Sequence, residues 1–325
     1  MAKIAFGQVG IVGTGMIGQS LGLALKRLSP APRVVGFDIS SDSRRSALSN
    51  KAVDSVTNNL AEAVRDADLV VMAAPVRAIE LGLRDVAPLL RPGCVVTDTA
   101  STKRQVLDWA AQYLPDSVSF VGGHPMTGRL TSGSAGPSAD IFNNAVYCVT
   151  PPAASDATAV EKIVKMVEAI GCVAYFVEPD EHDGLVATIS HLPYILSSSM
   201  MRVAATDRGW REARTIAAGG FSTSTALTEN DPRMFADICL TNADQIGRQI
   251  DRYIEELQTV RTMIAAGDER IYDRFVEAQN QRFEWLAGRG QEEAPPVNLD
   301  DLKPQNLFFP SRLGEILGLR ERGKR

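Results

Sequence analysis

The feature that most constrains this chain is a glycine-rich turn near its N-terminal end. Apolar Val9–Val12 predicts a buried strand, three glycines follow within Gly13–Gly18, and the apolar spacing of Ile17–Leu28 predicts a helix. A second predicted strand, Val34–Phe37, leads directly into Asp38, 20 residues after the last glycine. A glycine-rich turn between strand and helix, with an acid after the next strand, indicates a dinucleotide-binding domain of the Rossmann type.

Each residue of this pattern has a physical role. Gly13 permits a tight turn, Gly15 lets a pyrophosphate approach the backbone, and Gly18 allows the helix to pack closely on the strand. Asp38 is placed to accept hydrogen bonds from ribose hydroxyls and to repel a 2′-phosphate. NAD is therefore favoured over NADP, although Arg44 and Arg45 are near enough in sequence to reach a phosphate. The predicted cofactor contacts are Gly13, Gly15, Met16, Ile17, Gly18, Asp38, Ala74 and Pro75.

Short apolar runs alternate with helical patterns through the first half of the chain. This alternation predicts a parallel sheet with right-handed crossovers. From about Glu181 to Ala287 no strand pattern occurs, which predicts an all-helical region. We therefore expect an α/β fold, with an N-terminal Rossmann-like doubly wound sheet followed by a helical dimerisation domain. The predicted boundaries are an NAD-binding domain over 1–179, a helical substrate and dimerisation domain over 180–288 and a C-terminal tail over 289–325. The further predicted strands are Leu69–Ala73, Val95–Thr97, Phe120–Val121 and Val146–Val149, and the further helices are Ser43–Ser49, Ala78–Leu90, Lys103–Leu114 and Ala157–Ile170.

The helical half carries more apolar surface than one small bundle needs. His182–Ala205 predicts a long helix interrupted near Pro193. Apolar residues recur at spacings of three and four through Ile246–Ile264, which places them on one helix face. A homodimer is the expected use of such a stripe. In the tail, apolar Leu307–Pro310 is expected to dock on the same or the partner subunit, and the length after Ala287 predicts no regulatory domain.

Composition narrows the function class. The 325 residues carry a formal net charge of −5, which does not fit the basic surface of a nucleic-acid-binding protein. The four cysteines lack metal-ligand spacing, so we expect reduced thiols, a cytoplasmic location and no metal. No apolar run is long enough for a membrane span. These observations favour a cytoplasmic oxidoreductase acting on a small molecule, without a nucleic-acid or membrane partner.

Candidate catalytic residues follow two neighbouring strands. The run Gly122–Gly128, which contains His124, follows one predicted strand, and Asp98–Lys103, which contains Ser101, follows another. Both are expected at the carboxyl edge of the sheet, where open α/β folds bind ligands. Histidine is the natural general base near neutral pH, so His124 and Ser101 are expected to share a substrate hydroxyl.

Four runs of this sequence resemble the prephenate/arogenate dehydrogenase family of tyrosine biosynthesis. They are Asp98–Lys103, Gly122–Gly128, Glu181–Asp183 and Ser190–Pro193, and the resemblance extends over roughly Val9–Ala287. The resemblance implies NAD-dependent oxidative decarboxylation of prephenate to 4-hydroxyphenylpyruvate, or the equivalent reaction of arogenate or a related cyclohexadienyl substrate. It implies that His124 accepts the hydroxyl proton while hydride leaves the same carbon, and that Ser101 orients both. It implies substrate contacts from His191, Lys103 and Ser190. His182 lies beside two acids near a predicted helix start, so we expect it to be structural, paired with an acid and capping the helix.

The chain departs from the family pattern at two positions. Where the family usually carries an arginine that holds a substrate carboxylate, this chain has Ala226, and Tyr194 replaces a histidine after Ser190–Pro193. Prephenate is a dianion, and a buried carboxylate without a partner is costly. Another arginine is therefore expected to substitute, or the substrate differs. The candidates are Arg129, Arg202, Arg214 and Arg233.

Two other functions compete with this one. A β-hydroxyacid dehydrogenase shares the same domain order but uses a lysine on the first helix of the second domain, and Gly184–Ala205 contains none. A catalytically silent NAD-binding sensor is favoured by Ala226. The presence of Ser101, His124 and His191 argues against it.

Overall fold

The computed structural model describes residues 6–127 and 136–288 of the chain. Within these residues eight strands form a single sheet, with order β3-β2-β1-β4-β5-β6-β7-β8. The strands are β1 (Gln8–Val12), β2 (Arg33–Phe37), β3 (Ser55–Thr57), β4 (Leu69–Met72), β5 (Val95–Asp98), β6 (Ser119–Pro125), β7 (Val146–Thr150) and β8 (Val173–Phe176).

Helices connect these strands and then continue alone. The helices are α1 (Met16–Lys26), α2 (Ser41–Ser49), α3 (Leu60–Val64), α4 (Val76–Val86), α5 (Arg104–Tyr113), α6 (Ala157–Ala169), α7 (Pro179–Val186), α8 (Leu192–Thr206), α9 (Trp210–Ile216), α10 (Gly219–Thr225), α11 (Pro232–Thr241), α12 (Ala243–Ala266) and α13 (Ile271–Gly288). The predicted fold class is confirmed: an α/β sheet domain is followed by helices.

All neighbouring strands pair in parallel except β6 and β7, which pair antiparallel. The prediction of a wholly parallel sheet was therefore wrong at this pair. The described part of the connection between β6 and β7 holds only a short 3₁₀ turn, Ala139–Phe142. A parallel pair needs a longer crossover, usually a helix, whereas an antiparallel strand can return directly.

The elements missed from the sequence are short or lie at the sheet edges. Strand β3 has three partly buried residues and β8 alternates exposed and buried positions, so neither presents a continuous apolar run. Helix α3 has only five residues, too few to show a helical period. The other predicted strands and helices of the first half are present, with ends shifted by a few residues.

The predicted interruption near Pro193 takes the form of a π-helical turn, Ala187–His191, between α7 and α8. Pro193 lies within the first two residues of α8, where its missing N–H costs no helical hydrogen bond. Single π turns occur frequently at functional sites. This turn carries Ser190 and His191, two of the predicted site residues.

The chain divides into two compact units, one reaching Ala243 and one beginning at Asp244. The second unit consists of α12 and α13 in its described part. The predicted boundaries at 179/180 and 288/289 stay predictions. The tail and its docking lie outside the described residues.

Among the described residues, no helix is long and apolar enough to cross a membrane. Exposed large apolar side chains of the second unit are Tyr253, Ile254, Leu257, Ile264, Tyr272, Phe275, Phe283, Trp285 and Leu286.

Candidate active site

The glycine-rich turn joins β1 to α1 at the carboxyl edge of the sheet. Gly13 has φ +104°, a conformation that L side chains rarely adopt, and a Cβ there would lie 2.4 Å from the Ala73 carbonyl oxygen. A Cβ on Gly15 would meet no atom within 4 Å, so the space in front of the turn is open. Gly15 also caps α1 without a side-chain hydrogen bond. The first N–H groups of α1 are thus available to an anion.

Asp38 ends β2 beside this turn and fixes its shape. Its Oδ2 accepts hydrogen bonds from the backbone N–H of Thr14 at 2.8 Å and from the Thr14 hydroxyl at 3.2 Å. Its Oδ1 accepts from the backbone N–H of Ser40 at 2.8 Å. The carboxylate therefore holds the turn, and its contact with a ribose stays a prediction.

The two arginines after β2 are already engaged. Arg44 donates to the carbonyl oxygens of Asp38, at 2.6 Å, and Ile39, at 3.1 Å. Arg45 forms an exposed ion pair with Asp42. Neither guanidinium is held ready for a 2′-phosphate.

Lys103 precedes α5, in the segment that follows β5, and is fully buried. It donates to the Asp98 carboxylate and, at 2.7 Å, to the Gly123 carbonyl oxygen. Burial lowers the pKa of Lys103, and Asp98 opposes that shift. The ammonium is enclosed by protein groups, and its expected contact with substrate stays a prediction. The ammonium ties the ends of β5 and β6 together.

His124 lies within strand β6 rather than in the loop that we expected after Phe120–Val121. It pairs with Cys148 of β7. The preceding glycine permits close packing, because a Cβ on Gly123 would lie 2.7 Å from both the Asp98 carbonyl oxygen and the Tyr147 hydroxyl. The strand fixes the backbone of His124 more firmly than a loop would.

His124 belongs to a chain of three buried side chains. Its Nδ1 lies 2.9 Å from Nε2 of His182, and Nδ1 of His182 lies 2.8 Å from Oδ1 of Asp183. His124 keeps 8% exposure, whereas His182 has 1% and Asp183 none. The described residues offer no hydrogen bond to Nε2 of His124, which leaves that nitrogen for a substrate. The predicted pairing of His182 is confirmed, but α7 begins after Glu178 without a side-chain cap, so the predicted cap was wrong. The contact with His124 was not predicted.

Burial determines the ionisation of these histidines. It lowers the pKa of His124 well below the ordinary value of 6.5, and the nearby His182 and Lys103 act in the same direction. It also lowers the pKa of His182, although the hydrogen bond with Asp183 opposes the shift. Both rings are thus neutral at physiological pH, and a neutral imidazole can accept a proton.

His191 lies in the π-helical turn that precedes α8. It is fully buried, and its Nδ1 lies 3.3 Å from the side-chain nitrogen of Asn242. Asn242 also donates to the Asp183 carbonyl oxygen at 2.8 Å. Burial lowers the pKa of His191 to about 4, opposed in part by the Asp183 carboxylate and the Ser101 carbonyl. Nε2 of His191 is buried without a hydrogen-bond partner among the described residues, and the expected substrate contact of His191 stays a prediction.

The serines are partly exposed. Among the described residues Ser101 makes no hydrogen bond to His124, whose Nδ1 contacts His182. The contacts of Ser101 and Ser190 with a substrate stay predictions. Asp183 and Asn242 were missed by the sequence reasoning. The only available signal was the Glu-His-Asp run, since Asn242 comes from the distant end of α11.

The two departures from the family pattern lie on the helical part of the first unit. Tyr194 stacks on Phe235, with ring centroids 3.6 Å apart and planes 1° from parallel. Ala226 begins a 3₁₀ turn after α10. Of the candidate replacement arginines, Arg202, Arg214 and Arg233 are exposed, and Arg129 lies outside the described residues.

Among described residues no cluster of side chains suits a metal ion.

Comparison with known proteins agrees with this geometry. The family model of the prephenate dehydrogenase nucleotide-binding domain matches residues 21–176, and that of the prephenate dehydrogenase dimerization domain matches residues 178–281. The chain is 35% identical to prephenate dehydrogenase of Bacillus subtilis, over 84% of this chain and 74% of that protein. It is 31% identical to cyclohexadienyl dehydrogenase of Zymomonas mobilis, over 86% of this chain and 96% of that protein.

A solved structure shares the fold. The crystal structure of prephenate dehydrogenase from A. aeolicus, in complex with hydroxyphenyl propionate and NAD+, superposes with a TM-score of 0.80 at 23% identity, covering 87% of this chain and 99% of that one. The two family models together span most of the chain, from within α1 to α13. The chain therefore belongs to the prephenate dehydrogenase family of oxidoreductases.

Proposed function

We propose that this protein catalyses the NAD-dependent oxidative decarboxylation of prephenate to 4-hydroxyphenylpyruvate. The observation that carries the proposal is the position of His124. Its ring is held at the carboxyl edge of the sheet, neutral, with Nδ1 occupied and Nε2 left for a ligand. A general base within hydrogen-bond reach of a substrate hydroxyl typically contributes about 10²–10⁴ in rate.

The cofactor site fits a dinucleotide with an unmodified ribose. The open space at Gly15 and the uncapped N-terminus of α1 suit a pyrophosphate. Asp38 presents its carboxylate at the end of β2, and Arg44 is turned to backbone carbonyls. Bound NAD supplies a hydride acceptor. The contribution of the chain is to hold the substrate hydroxyl at His124 and to take up its proton.

Loss of carbon dioxide from the oxidised ring gives an aromatic product, so the overall step is effectively irreversible. The buried rings of His124 and His182 keep water from solvating the base. A low-dielectric site strengthens the electrostatic interactions made inside it.

Arogenate is the second candidate substrate, and one observation favours it. Ala226 replaces the arginine that the family uses for a carboxylate, and the described replacement candidates are all exposed. Prephenate is a dianion, whereas arogenate carries an ammonium group and one less net negative charge. A site with fewer enclosed cations discriminates less strongly in favour of the dianion.

Steady-state assays with each substrate test this proposal. With NAD and prephenate, NADH and 4-hydroxyphenylpyruvate are expected in equal amounts. The ratio of kcat/KM for prephenate and arogenate then measures which substrate the site prefers. Absence of NADH with both substrates, in protein shown to be folded and to bind NAD, would rule the proposal out.

Cofactor preference gives a separate prediction. We expect NAD to bind at least about tenfold more tightly than NADP, or about 1.4 kcal/mol, because the Asp38 carboxylate repels a 2′-phosphate. Isothermal titration calorimetry measures both affinities. Asp38→Ala is expected to narrow the gap, and it also weakens NAD binding because it releases the backbone of Thr14 and Ser40. Equal wild-type affinities would contradict the prediction.

Assembly gives another prediction. The exposed apolar side chains of α12 and α13, in the region matched by the dimerization domain, are proposed to form a homodimer interface. Sedimentation at micromolar concentration should show a dimer, and Leu257→Lys should shift it toward monomer. Leu48→Lys is the matched control, because Leu48 is similarly exposed (45% against 53%) but lies on α2. A wild-type monomer would refute the interface.

A further inference from the structure

We infer that His182 and Asp183 are positioning residues that hold His124 in the tautomer whose Nε2 is unprotonated. The inference rests on the proposed function, because it concerns the base of that reaction. This buried pair thereby determines which ring nitrogen of His124 can accept a proton.

Asp183 is a fully buried hydrogen-bond acceptor. Its Oδ1 accepts from the backbone N–H of Lys103 at 2.7 Å, and its Oδ2 accepts from the backbone N–H of Arg104 at 3.1 Å. These groups begin helix α5, whose N-terminal end favours negative charge. An ionised carboxylate has acceptor sites only, so any further partner of Asp183 must donate.

This requirement fixes the proton of His182. Its Nδ1, 2.8 Å from Oδ1 of Asp183, must carry the hydrogen. In a neutral imidazole one nitrogen donates and the other accepts, so Nε2 of His182 is an acceptor. The contact of 2.9 Å with Nδ1 of His124 is then a hydrogen bond donated by His124.

The consequence falls on the nitrogen that faces the substrate. Since Nδ1 of His124 carries the hydrogen, Nε2 holds a lone pair and is ready to accept the hydroxyl proton. The opposite tautomer would place two lone pairs against each other between His124 and His182. Burial of both rings, which meet edge to face with centroids 5.1 Å apart, prevents water from compensating.

Two substitutions of His182 separate positioning from packing. His182→Met fills similar space but cannot accept a hydrogen bond from Nδ1, so kcat should fall by about 10²-fold with KM and NAD affinity nearly unchanged. His182→Gln offers an amide oxygen as acceptor and should keep kcat within about tenfold of wild type. Asp183→Asn is less informative, because it also disturbs the start of α5.

Nitrogen-15 NMR of the histidine rings reads the tautomer without any reaction. The chain has only three histidines, so single variants suffice to assign the signals. In the wild-type NAD complex near neutral pH, His124 should carry its proton on Nδ1. In His182→Met this preference should be lost.

Three results would overturn the inference. The first is a wild-type His124 that is protonated on Nε2. The second is a kcat in His182→Met equal to that of the wild type. The third is an equal loss of kcat in the Met and Gln variants that parallels a loss of thermal stability. Failure of the proposed function looks different: His124→Asn would then keep its activity or the wild type would have none, while the NMR result would be unaffected.

Discussion

Replacing His124 with asparagine is expected to lower kcat by about 10²-fold or more, because proton acceptance matters mainly in the transition state. The amide nitrogen of asparagine lies near the position of Nδ1 and can still donate to His182. NAD affinity and most of the substrate affinity should therefore survive. Steady-state kinetics with calorimetric NAD titration measure both quantities on one variant.

A purely structural role for His124 predicts a different pattern. The thermal midpoint and NAD affinity would then fall together, and any residual kcat would keep the wild-type dependence on pH. A near-wild-type kcat in His124→Asn would remove this residue from the mechanism.

The second large effect concerns stability. Lys103→Met should lower the free energy of unfolding by about 3–5 kcal/mol, because it leaves the Asp98 carboxylate buried without its partner. It also removes the bond to the Gly123 carbonyl, one residue before His124. Urea denaturation measures the change. If Lys103 instead binds substrate directly, as the family resemblance implied, KM would rise while stability stayed near the wild-type value.

Lys165→Met provides the matched control for this variant. Lys165 pairs with Glu161 one turn away on α6, and both side chains are about two-fifths exposed. Exposed pairs of this kind are worth at most about 1 kcal/mol. A loss in Lys103→Met no larger than that in Lys165→Met would contradict the structural role of the buried pair.

The sequence predicted the structural features that are formed by residues close together in the chain. The turn at Gly13–Gly18 and its partner Asp38 belong to one strand–helix–strand unit, where spacing alone determines the geometry. The position of His124 at the sheet edge followed from the same rule. In each case the information lies within a few tens of consecutive residues.

The sequence could not show contacts made across long stretches of chain. His124 and His182 are 58 residues apart, and Lys103 and Asp183 are 80 apart. No local sequence pattern distinguishes a buried lysine from an exposed lysine when both follow a strand. For the same reason the burial of Lys103 and His191 was not predicted, and their expected contacts with substrate stay predictions.

Burial also changes the expected pH dependence. The unperturbed histidine pKa predicts a rate that rises through neutrality, but burial, with help from His182 and Lys103, lowers the pKa of His124 well below 6.5. The base is therefore neutral and active throughout the neutral range, and activity is lost only as His124 becomes protonated in acid. The pKa of His124 is higher in the unfolded chain than in the folded chain, so the unfolded chain binds this proton more readily. The free energy of unfolding therefore also declines as pH falls below about 6.5.

The pH profile of kcat in the wild-type enzyme is the most direct test of a neutral buried base, provided that circular dichroism confirms folding at every pH. We expect a plateau across neutral pH and an acid limb whose midpoint lies clearly below the ordinary histidine value of 6.5. His124→Asn should show a low residual rate without this limb. A midpoint at or above 6.5, or the same limb in His124→Asn, would contradict the account.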